Sequence, residues 1–85
     1  MAESSTVRVR FFAGARVAAG TRQRAAQVNH GDRVRDVLDR LSADRPDLAR
    51  VVLACSFLLD GVSARPDAPI GESVELDVLP PFSGG

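Results

Sequence analysis

The stretch SVELDVL, residues 73–79, alternates apolar and polar side chains and is the clearest strand in the chain. A period of two is typical of a strand with one buried face, so Val74, Leu76 and Val78 are expected to face a core. The next two residues are prolines. They are expected to end the strand, because proline has no N–H to donate to a sheet ladder.

A second alternating stretch, VRVRFF at residues 7–12, lies near the start of the chain. Its outward positions include Arg8 and Arg10, whereas the last strand presents Glu75 and Asp77. Opposite charges on neighbouring strands contribute about 0.2–1 kcal/mol per pair, which favours placing these two strands side by side. The alternative is a chance asymmetry of two solvated faces, since surface ion pairs usually contribute little.

Between these strands the spacing of apolar residues becomes that of a helix. One helical stripe contains Val34, Val37, Leu38 and Leu41. Asp32 is predicted to cap the N-terminus of this helix, and Asp36 and Arg40 are predicted to pair across one turn. Pro46 either ends the helix or begins a second short one over residues 46–52.

The remaining segments are less distinct. Residues 13–20 are interpreted as a loop or one helical turn ended by a glycine, and residues 22–28 as a weak second strand. Residues 53–59 and 62–65 are predicted to be two further strands joined by an Asp-Gly turn. This order predicts an α+β domain in which a mixed sheet of four to five strands packs on one main helix.

Composition narrows the class of protein. The 85 residues carry 11 basic and 11 acidic side chains, and 45% of them are hydrophobic. These values predict one folded domain and argue against a nucleic-acid binder, which needs an excess of basic residues. No stretch is apolar enough for a membrane span, and the first residues do not resemble a signal peptide. One cysteine argues against disulfides and zinc, so we expect a cytoplasmic protein without a bound metal.

The chain ends in LPPFSGG, residues 79–85. Together with VRFFAGAR at residues 9–16 and PIGESV at residues 69–74, this ending resembles the MoaD/ThiS family of sulfur carriers. The resemblance is greatest to the MoaD branch, the small subunit of molybdopterin synthase, and covers nearly the whole chain. It implies a ubiquitin-like β-grasp fold, with one domain over residues 1–79 and a flexible tail over residues 80–85.

In that family an ATP-using activating enzyme adenylates the C-terminal carboxylate, here that of Gly85, which then becomes a thiocarboxylate. The resemblance implies that the tail, with Ser83 and Gly84, enters the large subunit of molybdopterin synthase; glycine suits a narrow channel because it has no Cβ. It thus implies a noncatalytic sulfur-donating subunit with no bound cofactor and with these two proteins as partners. Alternatives are a carrier for thiamin or cysteine biosynthesis, a ubiquitin-like protein modifier, or an inert β-grasp interaction module.

Alternation also predicts a docking patch where the tail begins. Phe12 and Leu79 are outward positions that lie at the same end if the first and last strands are parallel neighbours. With Pro80, Pro81 and Phe82 they form a candidate apolar surface for a partner, and Phe82 is the favoured anchor. The alternative is that Phe12 and Leu79 are buried beneath residues 14–20.

Two further features have both a plain and a functional interpretation. Cys55 is expected to be a core residue rather than a persulfide carrier, because an apolar site raises the pKa of a thiol. Every basic residue is an arginine, which reflects either genome composition or a protective role. Without lysine amines, an activated C-terminus cannot acylate the side chains of its own chain.

Overall fold

The computed structural model describes residues 4–81. Strands and helices follow one another along this part of the chain. Their bounds are β1 (Ser4–Phe11), α1 (Ala13–Ala19), β2 (Gln23–Asn29), α2 (Val34–Leu41), α3 (Pro46–Val52), β3 (Ser56–Leu59), β4 (Val62–Ala64) and β5 (Glu75–Leu79). None of the helices in residues 4–81 has the length and hydrophobicity needed to cross a bilayer.

The five strands form one mixed sheet in the order β2-β1-β5-β3-β4. β1 and β5 are parallel neighbours at its centre, with Arg8 opposite Glu75 and Arg10 opposite Asp77. The other strand pairs are antiparallel. The side-by-side arrangement predicted from the charges of the first and last strands is therefore confirmed.

The core lies between one face of the sheet and the helices. The helical stripe predicted for α2 is buried, because all four of its apolar residues are at most 9% exposed. From the sheet, the largest fully buried side chains are Leu76, Val7, Val9 and Val78. One apolar stripe and one apolar sheet face thus cover each other, as the predicted α+β domain requires.

Val74 does not face the core, contrary to the sequence-based expectation, and is 67% exposed. The cause is Asp60, which lies in the turn between β3 and β4. Its Oδ1 accepts hydrogen bonds from the backbone N–H of Val74 at 3.0 Å and of Glu75 at 2.9 Å. β5 therefore begins only at Glu75, and the preceding residue is drawn toward the turn rather than into the alternating pattern.

Residues 14–20 form most of a regular helix rather than a loop or a single turn. α1 buries Ala15 and Ala19 against the core and ends at Gly20, which has φ +76°. That left-handed conformation strains other residues, so a glycine is favoured here. The run of small residues is thus explained by close packing of the helix, which contacts α3.

The strand predicted over residues 53–59 begins later, at Ser56. The residues before Ser56 continue from the end of α3, because the N–H groups of Ala54 and Cys55 donate to carbonyls of its last turn. Leu53 is consequently 86% exposed. The Cys55 Sγ–H donates to the Val51 carbonyl at 3.2 Å, and partial burial raises the pKa of this thiol.

The start of α2 differs from the sequence-based expectation. Arg33, not Asp32, occupies the N-cap position, and its backbone N–H donates to the Asp36 carboxylate at 2.8 Å. Arg40 pairs with Asp32 instead of Asp36. The same guanidinium donates to the Gln27 carbonyl on β2 at 2.9 Å. The Arg40 side chain therefore links α2 to the sheet instead of pairing within the helix.

Replacing Asp32 by asparagine is expected to lower the stability at neutral pH by about 0.2–1 kcal/mol, the range of a surface ion pair. The hydrogen bond from Arg40 holds the pKa of the Asp32 carboxyl below its usual value of 3.8. Its stabilising contribution is therefore complete above that value and disappears as the pH falls through the lower folded pKa. Denaturant unfolding at a series of pH values should show the two proteins converging in acid. Asp39→Asn, a change of the same kind at an exposed position of α2, is the control and should have little effect.

Candidate partner-docking site at the root of the tail

The last residues of β1 and β5 lie at the same end of the sheet. Phe11 is opposite Val78, and the Phe12 N–H donates to the Val78 carbonyl at 3.2 Å. Phe12 directly follows β1, and Leu79 is the last residue of β5. Because side chains alternate between the two faces of a sheet, both belong to the face that the helices leave open. Phe12, Leu79, Pro80 and Pro81 together are termed the tail root.

The tail root is accessible. Phe12 is 38% exposed, Leu79 and Pro80 are half-buried, and Pro81 is exposed. The alternative expectation, burial beneath residues 14–20, is wrong for Phe12, whereas Leu79 is partly buried. Those residues form α1, whose buried side chains face the core and leave the outer face uncovered. The structure therefore brings together the four predicted docking residues that it describes.

An ion-pair cluster supports the tail root from the adjoining positions of β1 and β5. The Arg10 guanidinium donates to both carboxylate oxygens of Asp77, at 2.7 and 2.9 Å. Glu75 lies 3.4 Å from Arg10 and 3.7 Å from Arg8, so the charged rows of the two strands are interlinked. The hydrogen bond with Asp77 raises the pKa of Arg10, which remains a cation.

Arg10 also connects this cluster to the apolar surface. Its guanidinium carbon lies 5.5 Å from the centroid of the Phe12 ring. Asp77 is flanked by Arg10 on β1 and Leu58 on β3, and is only 6% exposed. A bidentate pair has a defined orientation, so it holds the guanidinium against the ring and limits the positions that Phe12 can take.

The remaining predicted site residues, Phe82, Ser83, Gly84 and Gly85, lie outside the described residues. Their roles as anchor, threading segment and reactive carboxylate stay predictions. The four residues beyond Pro81 can reach about 13 Å when extended. The reactive end of the tail therefore stays within that distance of the tail root.

Sequence reasoning did not single out the cleft beside the tail root. It has a volume of about 400 Å³, and Arg10, Phe12, Arg16 and Arg22 are among its lining residues. No acidic residue occurs between residues 4 and 31, so this side of the domain is basic despite zero net charge. The signal was present in the sequence as an uninterrupted stretch without Asp or Glu.

A five-stranded mixed sheet, packed on helices and with its last strand at the centre, defines a ubiquitin-like β-grasp domain. In this chain the central strand leads directly into the tail. The chain belongs to the ThiS family, whose model matches residues 9–85. It is therefore a protein of the type that includes ThiS/MoaD-like sulfur carriers and ubiquitin-like modifiers.

Solved structures agree with this assignment. Small archaeal modifier protein 1 from Haloferax volcanii is 28% identical with a TM-score of 0.80, over 95% of this chain and all of the other. Its namesake from Methanosarcina acetivorans is 29% identical with a TM-score of 0.78, over 98% and 99% of the two chains. A Pyrococcus furiosus protein described as molybdopterin converting factor, subunit 1, shares the fold at 21% identity and a TM-score of 0.77, over 89% and 97%.

Proposed function

We propose that this chain is a sulfur carrier whose Gly85 carboxylate is adenylated and then converted to a thiocarboxylate. The observation that carries the proposal is the placement of β5 in the centre of the sheet, with its end exposed at the tail root. A tail attached there continues directly from a strand that pairs with a neighbour on each side. The family match over residues 9–85 supports the same conclusion.

The proposed chemistry is supplied by partners. In the first step a carboxylate oxygen of Gly85 attacks the α-phosphorus of ATP in the activating enzyme, and pyrophosphate leaves. In the second step a sulfide-level nucleophile attacks the acyl carbon, and AMP leaves with the C–O bonding pair. A free carboxylate is unreactive toward nucleophiles, whereas the mixed anhydride with AMP has a good leaving group. The chain itself contributes the substrate carboxylate and the surface that positions it, and it needs no bound cofactor.

We further propose that the sulfur is used to make molybdopterin, with this chain as the small subunit of molybdopterin synthase. Support comes from the fold shared with the molybdopterin converting factor subunit. The large synthase subunit would then contact the tail root and receive the tail. Thiamin and cysteine biosynthesis are the other routes that the same thiocarboxylate could feed. ATP-dependent activation favours the cytoplasm as the compartment.

A second candidate function is attachment to other proteins as a ubiquitin-like modifier. It is favoured by the matches at 28% and 29% identity to two proteins called small archaeal modifier protein 1. The acyl-adenylate is common to both functions, and they differ only in the nucleophile that attacks it. Sulfur gives a thiocarboxylate, whereas a lysine amine gives an isopeptide bond.

Intact mass after incubation with an activating enzyme, ATP and a sulfur donor distinguishes these functions. A mass gain equal to the replacement of one oxygen by sulfur supports the carrier. Covalent attachment to a second protein supports the modifier. The chain has no lysine, so an isopeptide bond to a lysine must lie on the other protein. The proposal would be contradicted if the mass of the chain stayed unchanged and no second protein became attached to it.

Phe12→Ala is expected to weaken binding of the large synthase subunit by about tenfold or more, because exposed aromatic residues at the centre of a contact often dominate its affinity. Phe82→Ala is expected to have a similar effect. The matched control is Val17→Ala, since Val17 is 82% exposed on α1 and does not belong to the tail root. Titration calorimetry measures the affinities. Equal affinities for Phe12→Ala and Val17→Ala would remove Phe12 from the interface.

A further inference from the structure

β2 is an edge strand of the sheet and has one unpaired side. The Phe11 N–H donates to the Arg22 carbonyl at 2.8 Å, which shows that even-numbered residues here direct their backbone groups toward β1. Because hydrogen-bonding direction alternates along a strand, Gln23, Ala25, Gln27 and Asn29 direct theirs outward. An edge of this kind can accept a further strand.

Half of this edge is already occupied by side chains. The Gln27 carbonyl accepts a hydrogen bond from Arg40, and the Asn29 N–H donates to the Asp32 carboxylate at 2.7 Å. Asp32 and Arg40 pair with each other, so they close the end of β2 nearest α2. The outward N–H and C=O groups of Ala25 and the N–H groups of Gln23 and Gln27 have no partner within residues 4–81. These groups are termed the open edge.

The open edge lies in basic surroundings. Arg24 on β2 and Arg22, which directly precedes this strand, are exposed, and Arg16 lines the same cleft as Arg22. Within residues 4–81 none of these three arginines forms an ion pair, whereas Arg8 and Arg10 are paired with acids of β5. Residues two apart on a strand point to the same side, about 7 Å from each other. Arg22 and Arg24 therefore present two adjacent cations along the open edge.

We propose that the open edge of β2 binds an extended acidic segment of a partner protein as a sixth strand of the sheet. Backbone hydrogen bonds to Gln23, Ala25 and Gln27 would hold the segment, as in other cases of strand addition. Carboxylates spaced two residues apart would face Arg22 and Arg24. Gln23 is paired with Arg10 of β1, so the bound segment would lie at the same end of the sheet as the tail root.

The test uses the full-length, isotope-labelled chain and a blocked eight-residue peptide in which valine and glutamate alternate. NMR titration should show saturable amide shifts centred on residues 23–27. Arg22→Gln with Arg24→Gln should weaken binding by about twofold to thirtyfold, the range for two exposed ion pairs. Arg33→Gln with Arg35→Gln is the matched control, since it removes the same charge from exposed arginines at the start of α2. This control should leave the affinity unchanged.

A proline at position 25 tests the backbone contribution separately. Ala25→Pro removes an outward N–H and no bond to β1, so the fold should persist while peptide binding is lost. Three results would overturn the proposal: equal binding of a valine–lysine peptide, equal losses in both double variants, or shifts outside β2. Concentration-dependent burial of residues 23–27 without peptide would also overturn it, because a second copy would then occupy the edge. None of these measurements requires activation of Gly85, so the proposed function can fail independently.

Discussion

Removal of Gly84 and Gly85 is expected to abolish thiocarboxylate formation completely. The truncated chain ends at Ser83, whose Cβ and hydroxyl occupy space that glycine leaves empty, and its carboxylate lies two residues nearer the domain. Two residues correspond to a loss of about 7 Å of reach, which is far more than the tolerance of a reacting carboxylate. Intact mass after incubation with the activating enzyme, ATP and sulfur donor measures the effect.

The matched control keeps the length of the tail and changes only one side chain in it. Ser83→Ala should still gain sulfur, because it preserves both glycines and the terminal carboxylate. The truncated protein should unfold at the same denaturant concentration as the parent, since the core lies within residues 4–81. Sulfur incorporation at the new Ser83 terminus would contradict the proposed role of the two glycines.

Leu76→Ala is expected to destabilise the domain by about 2–5 kcal/mol, through lost apolar burial and the cavity left behind. Leu76 is fully buried on the central strand, where it is opposite Val9 on β1 and Leu59 on β3. A domain of this size has a total stability on the order of 4–13 kcal/mol. The melting temperature should therefore fall by about 10 °C or more, and calorimetry or circular dichroism would measure it.

Val74→Ala is the matched control for that substitution. Both residues belong to the alternating stretch of residues 73–79, and the sequence alone assigns them to the same buried face. In the structure Val74 is 67% exposed, so its truncation should cost less than about 0.5 kcal/mol. Comparable losses from the two variants would contradict the exposed position of Val74.

The central sheet was predictable because its signals are local and strong. Alternation identified β1 and β5, and the opposite signs of Arg10 and Asp77 indicated that these strands are neighbours. The stripe of α2 likewise follows from a period that only a helix satisfies. The same alternation placed Phe12 and Leu79 at one end of the sheet, once the two strands were parallel, but it did not decide whether they are exposed.

The sequence-based predictions were wrong where a group distant in the sequence forms hydrogen bonds with the backbone or with a charged side chain. The Asp60 carboxylate accepts hydrogen bonds from the N–H groups of Val74 and Glu75. The spacing of apolar residues could not reveal a bond between residues so far apart in sequence. The end of α3 similarly removes residues from β3 that an apolar run had assigned to the strand. Arg40 pairs with Asp32 rather than with Asp36, because the chain turns back between β2 and α2.

By itself, the sequence determined the class of fold and the central pairing of β1 and β5, and it singled out the tail as the segment proposed to carry the chemistry. These properties depend on the order of apolar, charged and glycine residues, which is readable without coordinates. Only the tertiary structure decided that Phe12 is exposed against Arg10 and that one half of the β2 edge is open. Both features depend on contacts between side chains of different helices and strands. Exposure and hydrogen bonding are determined by this packing rather than by distance along the sequence.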